Sequence, residues 1–268
     1  MSITQAIIRL IAVTLVSVLL SVMAMISVRL SGVDLKDMKQ RTNPRVLAIA
    51  LFFNLLFIVS VALILKFWDH QPPGVLGLSF GSRGLLFVLF VCLFSAGFAF
   101  VYVRLLHSWN IVQIRYRRGN AGTFNITAVT LFGFFVLFVA ALQEEILFRG
   151  YFSFVLLPYG FWAGMLISTM VFTLWHFLTN KAGIFQTADW LMGGIMLFFI
   201  YWISGSIWVA ALTHFSRNIT NVLIFDISGS GSLLQYEKPI KPLYKSVYTI
   251  LFTILVMLTG YVFFGIFS

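Results

Sequence analysis

An all-α polytopic membrane bundle of about eight transmembrane helices is the fold class this sequence predicts, and three observations carry it. Of the 268 residues, 60% are hydrophobic and only 10% are charged, whereas a soluble domain carries roughly 25% charged residues. The mean hydropathy is +1.00. The apolar residues also fall into windows near the length of about 20 residues that crosses a bilayer, separated by charges and turn formers.

Eight such windows run, in order, over residues 7–28, 46–65, 85–103, 126–154, 161–177, 190–203, 207–225 and 248–267. The fourth is long and the sixth short. Pro44, Pro72, Pro73, Pro158, Pro239 and Pro242 all fall between windows, as suits a residue that breaks helices. The first window is expected to be a retained helix rather than a cleaved signal. It is too long for a signal's apolar region, has only Arg9 nearby, and is followed by no A-x-A site. Cys92 is the sole cysteine, so no intramolecular disulfide can form. Excursions between windows are short, the longest being about 226–247 with a turn-like SGSGS, and no repeat or low-complexity linker appears. Residues 1–268 therefore read as a single integral membrane domain.

The net charge of +10 does not point to nucleic acid, because of where the cations lie. Thirteen of the 18 flank four connections on one side: Arg29, Lys36, Lys39, Arg41 and Arg45; Arg104, Arg115, Arg117 and Arg118; Lys181; and Lys238, Lys241 and Lys245. Arg9, Lys66 and Arg83 mark the other side, and Arg149 and Arg217 lie inside windows. The positive-inside bias puts the basic loops in the cytoplasm and both termini outside, in a multi-pass protein of the cell membrane. The RYRR run at 115–118 reads as a topology determinant that also meets anionic headgroups. The expected partners are the lipid bilayer and a membrane-associated substrate, with no nucleic acid.

Polar groups at membrane depth are costly, at about 2.5–3.5 kcal/mol per charge on insertion scales, and normally face a cavity or the bundle interior. Here they are Glu144, Glu145, Arg149, His176, His214, Arg217 and Asn218, drawn from three windows. Glu145 and Arg149 have the i,i+4 spacing of an intrahelical ion pair. Glu144, turned about 100° away, need not share that arginine. Phe172 and His176 also share a helix face, as do His214 and Asn218, with Asn221 one turn further. Counted from the turn near 158–160, Glu144 and His176 lie at nearly one depth, about 22–26 Å at 1.5 Å per residue. By the same count His214 is shallower.

EEILFR (144–149), FTLWH (172–176) and HFSRN (214–218), in that order on successive helices, resemble the EExxxR, FxxxH and HxxxN motifs of the CPBP family of intramembrane proteases. That family includes the type II CAAX prenyl proteases and bacteriocin-processing or immunity-related relatives. The resemblance covers about residues 126–225, with no departure at a motif position; the other windows match only as apolar helices. It implies an intramembrane endopeptidase that hydrolyses a peptide bond of a membrane-associated peptide or protein. Carried over by motif, Glu144 activates water with the help of His176, and His214 with Asn218 holds the polarised carbonyl oxygen. Glu145, Arg149 and Phe172 position the site.

No cofactor is favoured. Glu144, His176 and His214 would be the ligands if zinc were bound, since two histidines, a carboxylate and water make a catalytic zinc set, but HExxH is absent. Other classes fit less well. Cys92 has no histidine in its window, Ser216 lacks a Gly-rich setting, and no phosphate-binding loop is present. A transporter with a carboxylate relay would be expected to show paired broken helices or an inverted repeat. The remaining competitor is a non-proteolytic scaffold or bacteriocin-immunity protein of the same fold; the intact set of Glu144, His176, His214 and Asn218 favours the enzyme.

Overall fold

The apolar windows fold as helices whose ends are set by local chemistry. The computed structural model describes residues 1–33, 43–115, 128–178, 182–225, 234–237 and 240–265. Helix α1 (Ile3–Leu30) opens with a capping box, in which Ser2 and Gln5 exchange side-chain and backbone hydrogen bonds. Helix α2 (Pro44–Phe67) opens on Asn43, whose side chain accepts from Arg45 N–H; α3 spans Ser82–Ser108. The fourth span combines α4 (Ala128–Glu145), a π-helical segment Ile146–Tyr151, α5 (Phe152–Leu156) and a 3₁₀ turn, Leu157–Tyr159. Then come α6 (Phe161–Phe177), α7 (Ile184–Ser204), α8 (Ile207–Leu223) and α9 (Pro242–Gly260), which continues as a π-helical turn to Gly265. A two-residue antiparallel ladder, β1 (Ile114–Arg115) with β2 (Gln235–Tyr236), ties the segment after α3 to the one before α9.

Among the described residues, eight helical segments stand where eight windows were read, in a helical membrane bundle. Among the described residues, six spans are long and apolar enough to cross a membrane, and α6 is a shorter apolar helix. Two details differ from the sequence reading. Pro44 and Pro242 sit inside the first turns of α2 and α9, where a missing N–H costs nothing because no carbonyl precedes it. Helix α7 starts at Ile184, not 190, so Asp189 belongs to the helix. Residues 126–127 and the end of the last window, 266–267, lie outside the described residues, as do the SGSGS turn and the cations Lys36, Lys39, Arg41, Arg117, Arg118, Lys181 and Lys238.

Contacts fix which ends meet. Tyr159 O–H donates to the Met1 carbonyl (2.9 Å), Arg9 pairs with Asp69 (3.0 Å), and Gly260 lies against Ile203. These gather Met1 and the end of α9 with the α2–α3, α5–α6 and α7–α8 connections at one end of the bundle. The connection between α2 and α3 folds back into the protein there. Gly77, in the left-handed region at φ 77°, sits so close to the Gly205 carbonyl that a Cβ would come within 2.6 Å of it. This close approach seats the start of α8: Ile207 N–H donates to Gly77 O (2.8 Å), and the Trp208 indole N–H donates to Leu78 O (3.1 Å). Irregular backbone at this depth is tolerated because those bonds satisfy it.

Two apolar clusters make up the core. One joins residues of α3, α7, α8 and α9, with Phe94, Phe98, Tyr248 and Phe252 in stacked contact. The other gathers residues of α1, α2, the π-helical segment and α6. The polar residues singled out above sit near the seam between the two.

Candidate active site

All six residues of the π-helical segment Ile146–Tyr151 are buried, because α2, α6, α7 and α8 pack around it. A turn enclosed on every side that carries Arg149 needs an internal counter-charge. Glu145 provides it, with Nη1 3.1 Å from Oε1 and both side chains fully buried. The guanidinium also donates from Nη2 to the Gly194 carbonyl (3.1 Å) and lies 4.4 Å from the Phe172 ring centroid, a cation–π contact. Gly194 permits that fit, since a Cβ there would come within 2.7 Å of Thr169 Cγ2.

Glu145 also reaches α8. Its Oε1 lies 2.8 Å from His214 Nδ1. A carboxylate paired with a guanidinium accepts and does not donate, so Nδ1 carries the proton and the ring is fixed in orientation. The opposite nitrogen, Nε2, then faces Glu144, 3.9 Å from Oε2 and beyond direct hydrogen-bond reach. Glu144 keeps 21% of its side chain exposed, so of the two carboxylates it is the one open to water. The i,i+4 pairing expected of Glu145 and Arg149 is present, and the bond from Glu145 to His214 is an addition that spacing within one helix could not reveal.

The shallower depth expected for His214 is corrected. Counting from the end of the span placed it too close to one surface, because α8 does not start at that surface. Gly150 lies against Ile207, the first residue of α8, and against Leu76. The folded-back α2–α3 connection therefore starts α8 inside the bundle, and seven residues later His214 is level with Glu145.

His176 Nδ1 lies 2.9 Å from the Phe172 carbonyl. A carbonyl only accepts, so Nδ1 is the donor and Nε2 the acceptor nitrogen. The His176 ring packs between Phe172 and Trp190, at centroid distances of 4.6 and 4.9 Å. His176, His214 and Asn218 line one cavity of about 90 Å³ together with Asp189, Arg217 and Lys245. That space suits a few waters or one small polar group. Glu144 adjoins this wall through His214.

Asp189 had no place in the sequence reading, and Lys245 and Arg217 had no role at the site. The signal for Asp189 was a carboxylate at the margin of an apolar window; Lys245 looked like one more loop cation. Arg217 donates from Nη2 to the Asp189 carbonyl (3.3 Å), and its guanidinium lies against Gly193, where any Cβ would collide with it. The adjacent glycines 193 and 194 thus receive two guanidinia, from α8 and from the π-helical segment. Among the described residues no three His, Cys, Asp or Glu side chains are grouped so as to hold a metal ion.

Residues 126–220 match the family described as type II CAAX prenyl endopeptidase Rce1-like. The match spans all three motifs, so this part of the chain is similar to CAAX-type proteases, and the six long apolar helices mark a multi-pass membrane protein. No curated protein and no solved structure matches the chain.

Proposed function

We propose that this chain is an intramembrane protease of the CPBP family that hydrolyses a peptide bond of a membrane-associated peptide, with water activated by Glu144 and no metal required; the match over residues 126–220 supports the reading. The observation that carries the reading is the arrangement around His214. Its Nδ1 is held at 2.8 Å by a buried carboxylate that is itself paired with Arg149, while Nε2 points toward a second, accessible carboxylate. One carboxylate orients and neutralises; the other remains for proton transfer.

In the proposed step, Glu144 takes a proton from water as the water oxygen attacks the scissile carbonyl carbon. His176 Nε2, the acceptor nitrogen, helps to hold that water. The carbonyl oxygen becomes an oxyanion that accepts from the Asn218 amide and from His214 Nε2–H. With Nδ1 donating to Glu145 as well, the ring is doubly protonated in this step, and the oxyanion it contacts balances its charge. Donors fixed where negative charge develops, away from bulk water, are the larger contribution to such a reaction. Collapse of the intermediate breaks the C–N bond, and the proton held by Glu144 passes to the leaving amine. The bundle end bearing the basic connections faces the cytoplasm in this reading, and both chain ends face out.

A comparison of membrane peptides from cells with the wild-type chain or the Glu144→Gln variant tests the function. Expected is at least one precursor that accumulates in the variant and in His176→Ala, with its shortened product lost. Unchanged peptides together with preserved biological activity in both variants would put the non-proteolytic scaffold first.

A further inference from the structure

The amide of Gln143, the residue before Glu144, points away from the site just described. It lines a cleft of about 210 Å³ whose other polar groups are Ser17 and Ser21 of α1 and Asn54 of α2, set among apolar side chains such as Met25 and Phe57. Helix α1 packs on α2 and α5, and the cleft is left between α1, α2 and α4. Ser17 lies at the middle of the 28-residue α1, Asn54 near the middle of the 24-residue α2, and Gln143 near the middle of the 32-residue helix Ala128–Tyr159. The cleft therefore sits near the bilayer midplane, within one helical residue of Glu144. Gln143 is 8% exposed, and among the described residues neither its amide nor that of Asn54 has a hydrogen-bond partner.

Two unpaired amides at the midplane are costly, because hydrocarbon supplies nothing for them to bond. Leucine at either position would remove that cost, so the polar pair makes sense where a ligand completes it. Each amide offers one acceptor and two donors, which matches the N–H and C=O of a peptide backbone. A helical peptide has already used those groups internally, so only an unwound stretch can bond here. An unwound stretch is also the form whose peptide bond is open to attack. A lipid tail lining the same cleft would leave both amides unpaired.

We infer that the cleft between α1, α2 and α4 is a peptide-binding subsite, in which Asn54 and Gln143 hydrogen-bond the backbone of an unwound membrane peptide beside the catalytic carboxylate. The inference rests on the proposed peptidase reading, but it is tested by binding and not by cleavage. The full-length Glu144→Gln protein in lipid nanodiscs is titrated with two fluorescent 20-residue Leu/Ala peptides, one with a central Gly-Pro pair and one without. Proline removes a helical hydrogen bond and frees backbone groups, so the Gly-Pro peptide is expected to bind about 30-fold more tightly, the equivalent of two ordinary hydrogen bonds. Adding Asn54→Leu and Gln143→Leu together is expected to abolish that preference and to leave the melting temperature unchanged or raised. Equal binding of the two peptides, or a preference that survives the double substitution, overturns the subsite and assigns the cleft to lipid. A lowered melting temperature in the double variant overturns it too, by showing that the amides serve the fold. Because no turnover is read, failure of the peptidase assay and failure of this one remain distinct results.

Discussion

Replacing Glu145 by Gln separates what the buried pair does for the fold from what it does for the site. Gln keeps the shape and an acceptor oxygen, so the perturbation is the loss of one negative charge beside a fully buried Arg149. Both side chains are at 0% exposure, so solvent does not screen the loss. Breaking a buried pair by removing one partner costs about 3–5 kcal/mol, because the other charge is left uncompensated. At about 2–4 °C per kcal/mol for a chain of this size, thermal unfolding in detergent should fall by about 6–20 °C. The double variant Glu145→Gln/Arg149→Met, which removes both charges, should recover most of that stability. Processing of the accumulating precursor should stay lost in the double variant, since His214 Nδ1 would then face a neutral amide. A single variant within about 0.5 kcal/mol of wild type, the usual range for surface substitutions, would refute the reasoning. So would a double variant that fails to recover.

Four further outcomes are expected. Gly193→Ala should displace the Arg217 guanidinium from α7 and destabilise by about 1–3 kcal/mol, the range for forced overpacking, read as a lower melting temperature. Tyr151→Phe removes the hydroxyl that donates to Asp69 at 3.0 Å, where Arg9 also binds; it should cost about 1.5–3 kcal/mol and make α1 more sensitive to added protease. Elemental analysis of purified protein should find less than one zinc per chain, and a chelator should leave precursor processing unchanged; stoichiometric zinc lost with activity would reverse the metal-free mechanism. In a Cys92→Ser background, an impermeant thiol reagent applied to intact cells should label a cysteine at Trp68 and miss one at Lys241. The opposite pattern would invert the proposed topology.

How far the sequence reaches differs from residue to residue. The spans were legible because a bilayer demands long apolar runs, and α6 begins and ends where its window does. Glu145 and Arg149 were legible because their contact lies within one helix and follows from a period of 3.6 residues. Asp189 was cut from its helix because an apolar window ends at a charge, whereas a helix ends where its backbone bonds do. The level of His214 was misread because a count along the chain assumes that every helix starts at the surface.

Composition and helical spacing by themselves determined a multi-pass α-bundle, the polar residues it carries at depth, and the order of the three motifs. Tertiary structure alone decided that Glu145 bonds His214 as well as Arg149, that glycines 193 and 194 seat two guanidinia, and that Asn54 and Gln143 share a midplane cleft. The physical reason is one of range. Hydrophobic transfer and i,i+4 contacts are local and leave a periodic trace in the chain. Contacts between helices depend on where each helix begins and how it is turned, and the folded-back 72–80 connection, which sets the start of α8, leaves no such trace.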